Sequence, residues 1–584
     1  MTICSTSSIS KSANPTPRQQ ADFFFRPSSA VQRRYEALRA YFGEGLSLAE
    51  AGSRFGYSPQ SLASLARDFR AGKLEFFLQP RPGPKSAPAK EAARAQILEL
   101  RRAGSSLDEI ATAIRAAGTP LNRTGIAEVL SQAGLPRLWR RAAGGRGTPH
   151  RESLIRAQRI DFATFPDQLS SGLAGLFLTV PELLRLDLPQ LVAEAGYPGT
   201  RMIPALSYLL SLLALKLVAI RRLSHVDDIA SDQAAGLYAG LTAIPKTTAL
   251  TTYSYRTQRD LQRRFLAALG PALIRAGLGQ GAEFDLDFHA VMHYGQDQVL
   301  EEHYVPRRSQ RTASVLTFFA QDHRSQNLVY ANADLLKADQ HQEVLRFCEH
   351  WRSATGHLPS RLVFDGKLTT QAVLVQLDRL GVRFLTLRAR SPKLVRELEQ
   401  IPTSAWRSVQ LERAGGYRKV SVHDAPTGLS DFPGQIRQIA VRGLGHEQPT
   451  VLITNDRQTR VKPLVERYAS RMNIEQRLAE FIRAFHIDAL ASAVPLNVDL
   501  DVVLSVLAGA VCASFRRRLR GHESATPDTL QRRFFSTAGK IVVDDRSVCV
   551  RLDLRTYSPV LRTADLSSVQ VPWWGNRRLT FELA

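Results

Sequence analysis

The strongest constraint on the fold lies between Gly281 and Arg390, where acidic residues fall at the ends of short apolar segments. EFDLDFHAVMHYG (283–295) alternates apolar and polar positions and is bounded by glycines, which predicts a strand with Asp285, Asp287 and His289 on one face. ASVLTFFAQD (313–322) and NLVYANAD (327–334) predict two further strands, together an antiparallel meander. A helix is expected over 339–355, then an apolar strand, RLVFDGK (361–367), that ends on Asp365. A helix over 369–380 and a strand over 382–390 follow. A meander followed by helix-separated parallel strands gathers strand-end acids at one sheet edge, where ligands of α/β sheets collect. Asp322 reads as a strand-end residue, and His289 as packing or hydrogen bonding beside the acids.

A third acid has a different setting. In YASRMNIEQ (468–476), Tyr468, Arg471 and Glu475 are spaced by three and four residues, which places them on one face of a helix starting near Lys462 or Pro463 and running to about His486. By itself such a pattern also describes a solvated, salt-bridged helix face. Three carboxylates drawn from distant segments suit a hard cation such as Mg²⁺. A pair of such ions roughly 3.5–4 Å apart can activate a nucleophile and stabilise a leaving oxygen at a phosphodiester.

These segments resemble the DDE transposases of bacterial insertion sequences, in the branch whose RNase H-like fold carries a β-rich insertion. DFHAVMHYG is similar to that family's first strand, Asp-Phe followed by Thr or His and then Tyr-Gly. VFDGKLTT resembles its second-acid strand, and YASRMNIEQ its Y-x-x-R-x-x-x-E signature. The resemblance spans about residues 281–525. It implies a catalytic, metal-binding triad of Asp287, Asp365 and Glu475, two Mg²⁺ ions with Mn²⁺ able to replace them, and DNA phosphate contacts from Tyr468 and Arg471. Asp285 is the alternative first acid; Asp287 is preferred because D-F-H aligns with the family motif. The family often carries Lys seven residues after the Glu; here that position is Ile482, with Arg483 next to it. Asp365 and Glu475 lie 110 residues apart, more than a strand and a helix need. WRSVQLER, YRKVSVHD, IRQIAVRG and PTVLITND, within about 406–455, supply the expected inserted sheet.

The N-terminal part carries its own signal. The net charge is +23, and residues 1–150 hold 22 Lys and Arg against 11 Asp and Glu, which points to nucleic acid as partner. In residues 45–69, Ser47 and Glu50 form a capping box, Gly52 suits a close helix crossing, Gly56 suits a tight turn, and Ser58-Pro59 starts a second helix. This is a helix-turn-helix pattern whose second helix presents Gln60, Ser61, Ser64 and Arg67 outward, residue types able to reach bases and phosphates. A stiff Pro-rich linker follows over 78–90. Ser106 and Glu109 then repeat the capping box, Asn122 or Thr124 caps the next helix, and Arg123 is the DNA-facing candidate there. Arg137, Arg140, Arg141 and Arg146 form a basic tail. Two such modules resemble the bipartite paired-type DNA-binding region common in transposases.

Other classes are disfavoured. Cys4, Cys348, Cys512 and Cys549 form no CxxC pair, against a zinc finger or a disulfide framework and in keeping with a reducing cytoplasm. The N-terminus lacks the apolar core of a signal peptide. The apolar segment 202–220 is interrupted by Lys216 and reads as a buried core helix, not a membrane span. The expected protein is multidomain: a flexible 1–30, α-helical helix-turn-helix modules over 31–145, a helical 150–280, an α/β RNase H-like domain over 281–395 and 456–525 with its inserted β-sheet over 396–455, and a strand-rich 526–584. Three functions stay open. One is a transposase acting on double-stranded element ends and target DNA as a homodimer or larger, in the bacterial cytoplasm at the nucleoid. The second is a transposase-derived DNA-binding regulator without chemistry, and the third an RNase H-fold nuclease without strand transfer.

Overall fold

The computed structural model describes residues 29–74, 76, 88–103, 105–119, 121–133, 155–292, 301–305, 310–368, 370–413, 416–444, 449–488 and 495–583. Residues 1–28, most of the 78–90 linker and the arginines of the basic tail lie outside these. The chain divides into two compact units, Met1–His150 and Arg151–Ala584.

The N-terminal unit is helical. Its first module comprises α1 (Ala30–Phe42), α2 (Leu48–Phe55) and α3 (Pro59–Arg70). The expected caps are present: Ser47 and Glu50 exchange hydrogen bonds at the start of α2, Gly56 is left-handed at its end, and Ser58 Oγ accepts from the Ser61 amide. Ala37, Leu38, Ala51, Phe55, Leu62 and Ala66 form the small core. The close approach at Gly52 is to the turn rather than to another helix, since a Cβ there would stand 2.6 Å from the Tyr57 carbonyl oxygen. The second module comprises α4 (Pro88–Arg102), α5 (Leu107–Ala116) and α6 (Arg123–Gln132), around Ile97, Ile110, Ile114 and Ile126. Asn122, not Thr124, caps α6. The extended linker was expected to reach residue 90, but α4 already begins at Pro88, because Pro is readily accommodated in a first helical turn.

The second unit is α/β, with two mixed sheets. In the larger sheet, β2 (Glu283–Met292) pairs antiparallel with β4 (Gln310–Asp322), and β4 antiparallel with β5 (Leu328–Asn332). On its other side β2 runs parallel to β6 (Arg361–Phe364), and β6 parallel to β7 (Arg383–Leu387). This is the strand order expected of an RNase H-like domain. A short strand that the sequence reading did not include, β3 (Glu302–Val305), lies on β4.

The four insertion strands are present, but they do not make a separate sheet. β11 (Thr450–Thr454) pairs antiparallel with β7, and β10 (Gln435–Arg442), β9 (Gly416–Gly428) and β8 (Arg407–Arg413) extend the same sheet outward. Pairing with β7 satisfies backbone groups that would otherwise form an exposed edge.

Both faces of the central strands are covered. Phe284 of β2 packs edge-on against Phe347 and Trp351 of α9 (Glu343–Thr355), which follows α7 (Ala205–Leu217) and α8 (Arg259–Arg275) in the chain. On the opposite face Val363 and Leu385 meet Leu464, Val465 and Tyr468 of α11 (Val461–Ala469), which follows α10 (Gln371–Arg379). The single helix expected from about 462 to 486 is two, α11 and α12 (Met472–Phe485). Ser470 Oγ donates to the Arg467 carbonyl at 2.7 Å, and the amides of Arg471, Asn473 and Ile474 bond three residues back, so the helix tightens and breaks there.

Helix α7 is buried as expected, and Lys216 is neutralised by Asp501 at 2.6 Å on α13 (Pro495–Arg516). The Val498–Arg516 stretch is long and apolar enough to cross a membrane, but it lies almost wholly inside the fold. Segment 150–280 is not helical throughout: β1 (Gln168–Ser171) pairs with β12 (Gly539–Val543) in a five-stranded sheet completed by β13 (Ser547–Leu552), β14 (Val569–Val571) and β15 (Arg577–Leu583). The segments expected as 150–280 and 526–584 therefore share one sheet. Cys348, Cys512 and Cys549 are free thiols.

A Gly52→Ala substitution tests the turn. The added methyl cannot be accommodated without moving backbone, so the N-terminal unit is expected to lose about 1–3 kcal/mol, seen as an earlier melting transition with that of residues 151–584 unchanged. Unchanged melting of the N-terminal unit would contradict the close-packed turn.

Candidate active site and nucleic-acid interface

The β2–β6 register places the first two acids. Phe284 pairs with Leu362, Asp285 with Val363 and Leu286 with Phe364. The next step of the same parallel register brings Asp287 beside Asp365, on neighbouring strands about 4.8 Å apart. Both lie on the face that α11 covers, since Asp285 and Val363, two residues earlier, face the same way. Gly366 lets the chain leave β6 here: a Cβ at that position would lie 2.2 Å from the Leu387 carbonyl oxygen.

The third acid reaches this edge from α12. Arg471 Nη2 pairs with Glu475 Oε1 at 3.0 Å, and Arg471 Nη1 stands 4.0 Å from Asp287 Oδ2. The guanidinium lies 5.8 Å from the Tyr468 ring centroid. The three signature residues thus share one face despite the helix break, because Arg471 itself keeps helical dihedrals.

Electrostatics mark the same cluster. Burial pushes the Asp287 carboxyl up to about 7; Glu475 and Asp365 add to this, while Arg471 opposes it. Burial likewise pushes the Tyr468 hydroxyl up to about 12. Burial disfavours charge on Arg471, but Tyr468, Asp287, Glu475 and Asp365 together hold its pKa above the ordinary value.

Asp285 is engaged differently. Fully buried, it accepts from Arg467 Nη1 at 2.6 Å and lies 3.3 Å from His323 Nδ1. Arg467 Nε also pairs with Glu283 at 3.0 Å, and Arg361 joins Glu283 at 2.9 Å to Asp456 at 2.6 Å. This chain of alternating charges occupies Asp285 and leaves Asp287 as the acid facing Asp365 and Glu475. Asp322 accepts from the amides of Gln280, Gly281 and Ser325, so it ties a turn. Ile482 packs against the core, and Arg483 is exposed in the last turn of α12. Neither Arg467 nor Ser470 was singled out in the sequence; Arg467 lies one turn before Arg471, which is the only local hint of its place.

Carboxylate oxygens suit a hard divalent ion in type. As they stand, however, no three His, Cys, Asp or Glu side chains among the described residues are placed to hold a metal ion. The Arg471 guanidinium bridges Asp287 and Glu475 instead.

In the N-terminal unit, Gln60, Ser61, Ser64 and Arg67 are all exposed on α3, opposite its buried Leu62 and Ala66. Ser61 is partly engaged in the cap, its Oγ accepting from Ser58 Oγ at 2.8 Å. Arg123, at the start of α6, is exposed and pairs with Asp108 at 3.2 Å. A family model described as a helix-turn-helix domain matches residues 33–86, which contain α2, α3 and most of α1. This module is a double-stranded DNA-binding domain. Among curated proteins none matches the chain.

Two variants separate the neighbouring aspartates. Asp285→Asn leaves buried Arg467 without its closest counter-charge and is expected to cost about 3 kcal/mol, whereas Asp287→Asn relieves carboxylate repulsion and is expected to keep or raise the melting temperature. Equal destabilisation by both would contradict the division of roles.

The sign of the pH dependence follows from Asp287. Its carboxyl binds a proton more tightly in the fold, at about 7, than in an unfolded chain, at about 3.9. Its unfavourable contribution is absent below pH 4, grows as pH rises towards 7, and is constant above. With divalent ions chelated, the stability gap favouring Asp287→Asn over wild type is expected to widen between pH 5 and 7.5 by on the order of 2 kcal/mol. A pH-independent gap would overturn this assignment.

Proposed function

We propose that this chain is a DDE-type DNA transposase: its helix-turn-helix modules bind the ends of its element, and Asp287, Asp365 and Glu475 serve cleavage and strand transfer. The observation that carries this reading is the meeting of acids from the middle of β2, the end of β6 and a distant helix, in a chain that also holds a DNA-binding domain. The helix-turn-helix family matched by residues 33–86 is one found in transposases.

In this reading water attacks an end phosphodiester and its P–O3′ bond breaks; the freed 3′-hydroxyl then attacks a target phosphodiester whose own P–O3′ bond breaks, releasing a target 3′-hydroxyl, so that this second step exchanges one phosphodiester for another. Bound Mg²⁺ ions, or Mn²⁺ in their place, would supply nucleophile activation and stabilisation of the leaving oxygen. Asp287 and Asp365, fixed on the sheet, would hold them, with Glu475 closing the set from the more exposed helix face. Arg471 and Tyr468 bind the phosphate that reacts, and Gln60, Ser61, Ser64, Arg67 and Arg123 contact the ends. Joining two ends calls for at least two copies of the chain.

The test uses full-length protein and DNA carrying the sequences that flank its reading frame. Asp365→Ala and Glu475→Ala are expected to keep end binding and melting temperature while losing Mg²⁺-dependent nicking at least about a hundredfold. Retained nicking in either variant would remove the triad. Nicking by wild type without joining would leave a nuclease.

A further inference from the structure

Arg471 differs from the other described arginines of the second unit in having two buried nitrogens without a hydrogen-bond partner. Its side chain is only 8% exposed, yet among the described residues Nε and Nη1 have no hydrogen-bond partner, and Nη2 alone is matched to a carboxylate, that of Glu475. Arg467, one turn earlier and equally buried, places Nε on Glu283 and Nη1 on Asp285 and leaves only Nη2 without a partner among the described residues. Buried guanidinium donors are ordinarily satisfied. Nη1 of Arg471 stands beside the acid cluster but is short of an acceptor, with Asp287 Oδ2 too distant, at 4.0 Å, for a hydrogen bond.

We propose that Arg471 is the resident counter-ion of this cluster and exchanges its carboxylates for a DNA phosphate, so that divalent cations enter the acids when DNA arrives. This rests on the DNA-cleavage reading above. A guanidinium bridging Asp287 and Glu475 and a dication between the same oxygens exclude each other by position and by charge. A phosphodiester offers paired anionic oxygens that match a guanidinium fork, Nε with Nη2 or Nη1 with Nη2, once Nη2 leaves Glu475. Once Arg471 turns to the phosphate, the carboxylates lose the one close positive partner they have among the described residues and attract a cation more strongly. DNA binding and metal binding are therefore linked, and linkage is reciprocal. Without DNA the chain keeps a guanidinium among its acids and does not present a loaded metal centre to solvent.

The test is a Mn²⁺ titration read by electron paramagnetic resonance, with full-length protein, with and without a duplex oligonucleotide, and melting temperatures measured on the same samples. Wild type is expected to bind Mn²⁺ weakly alone and about tenfold or more tightly with the duplex, within the usual range of such coupling. Arg471→Gln is expected to bind Mn²⁺ about tenfold more tightly than wild type without duplex and to gain little from adding it. Arg471→Gln binding no more tightly than wild type overturns the proposal, as does wild-type affinity unchanged by duplex. If Arg471→Gln melts below the assay temperature, Arg471→Lys replaces it: retained charge without the fork predicts wild-type Mn²⁺ affinity alone and a smaller duplex effect, and an undiminished duplex effect overturns the proposal. Asp287→Asn separates this from the underlying reading. If that variant keeps all Mn²⁺ binding, the acid cluster is not the metal site at all; if it loses the binding while Arg471→Gln shows no gain, only the counter-ion role fails.

Discussion

The parallel register between β2 and β6 is the constraint on which the site depends. With Leu286 beside Phe364, Asp287 and Asp365 can only be neighbours where β6 ends beside β2. A slip of one residue would turn every side chain of a strand to the opposite face, sending Phe284 away from Phe347 and Trp351 and bringing it against α11. The aromatic packing under β2 therefore fixes the register, and the register fixes the acids. Glu475 joins through a second constraint, the covering of that face by Leu464, Val465 and Tyr468, which sets where the chain emerges into α12.

Charge is handled in two tiers. The lower tier, Asp456, Arg361, Glu283, Arg467 and Asp285, is a closed sequence of ion pairs at 2.6–3.0 Å. Removing Asp285 or Arg467 deprives its buried partner of its closest counter-charge, so this tier is structural. The upper tier, Asp287, Glu475 and Asp365 with Arg471, is incomplete: one short pair, one contact at 4.0 Å, and guanidinium nitrogens without acceptors. An aspartate held near neutral pKa by burial and like charges is the electrostatic counterpart of that incompleteness. The two tiers differ by only two residues along β2, yet one is spent on stability and the other is available for a ligand.

Much of this was legible in the sequence, and the remainder has physical reasons. Period-two alternation and strand-end acids are local signals, so the meander, the parallel strands and the acids at 287 and 365 could be read, as could the caps at Ser47, Ser58 and Ser106. The choice between Asp285 and Asp287 was not local: both share a face, and the residue that engages Asp285 is Arg467, 182 positions away. The break between α11 and α12 turns on one side-chain hydrogen bond, from Ser470, a residue ordinary enough inside a helix. The insertion strands were visible one by one, but their addition to β7 is a long-range pairing that no periodicity encodes. β1 is four residues, QLSS, with little alternation, and its partner lies near the other end of the chain.

In the proposed function Asp287, Asp365 and Glu475 converge on one divalent-cation site when DNA is bound. Iron-directed cleavage tests it most directly: Fe²⁺ in place of Mg²⁺, with duplex DNA, ascorbate and peroxide, cuts the polypeptide beside the ion. The account predicts cuts near residues 287, 365 and 475 in the same protein, all lost in Asp287→Asn. Cuts confined to one of these segments, or unchanged in that variant, would contradict it.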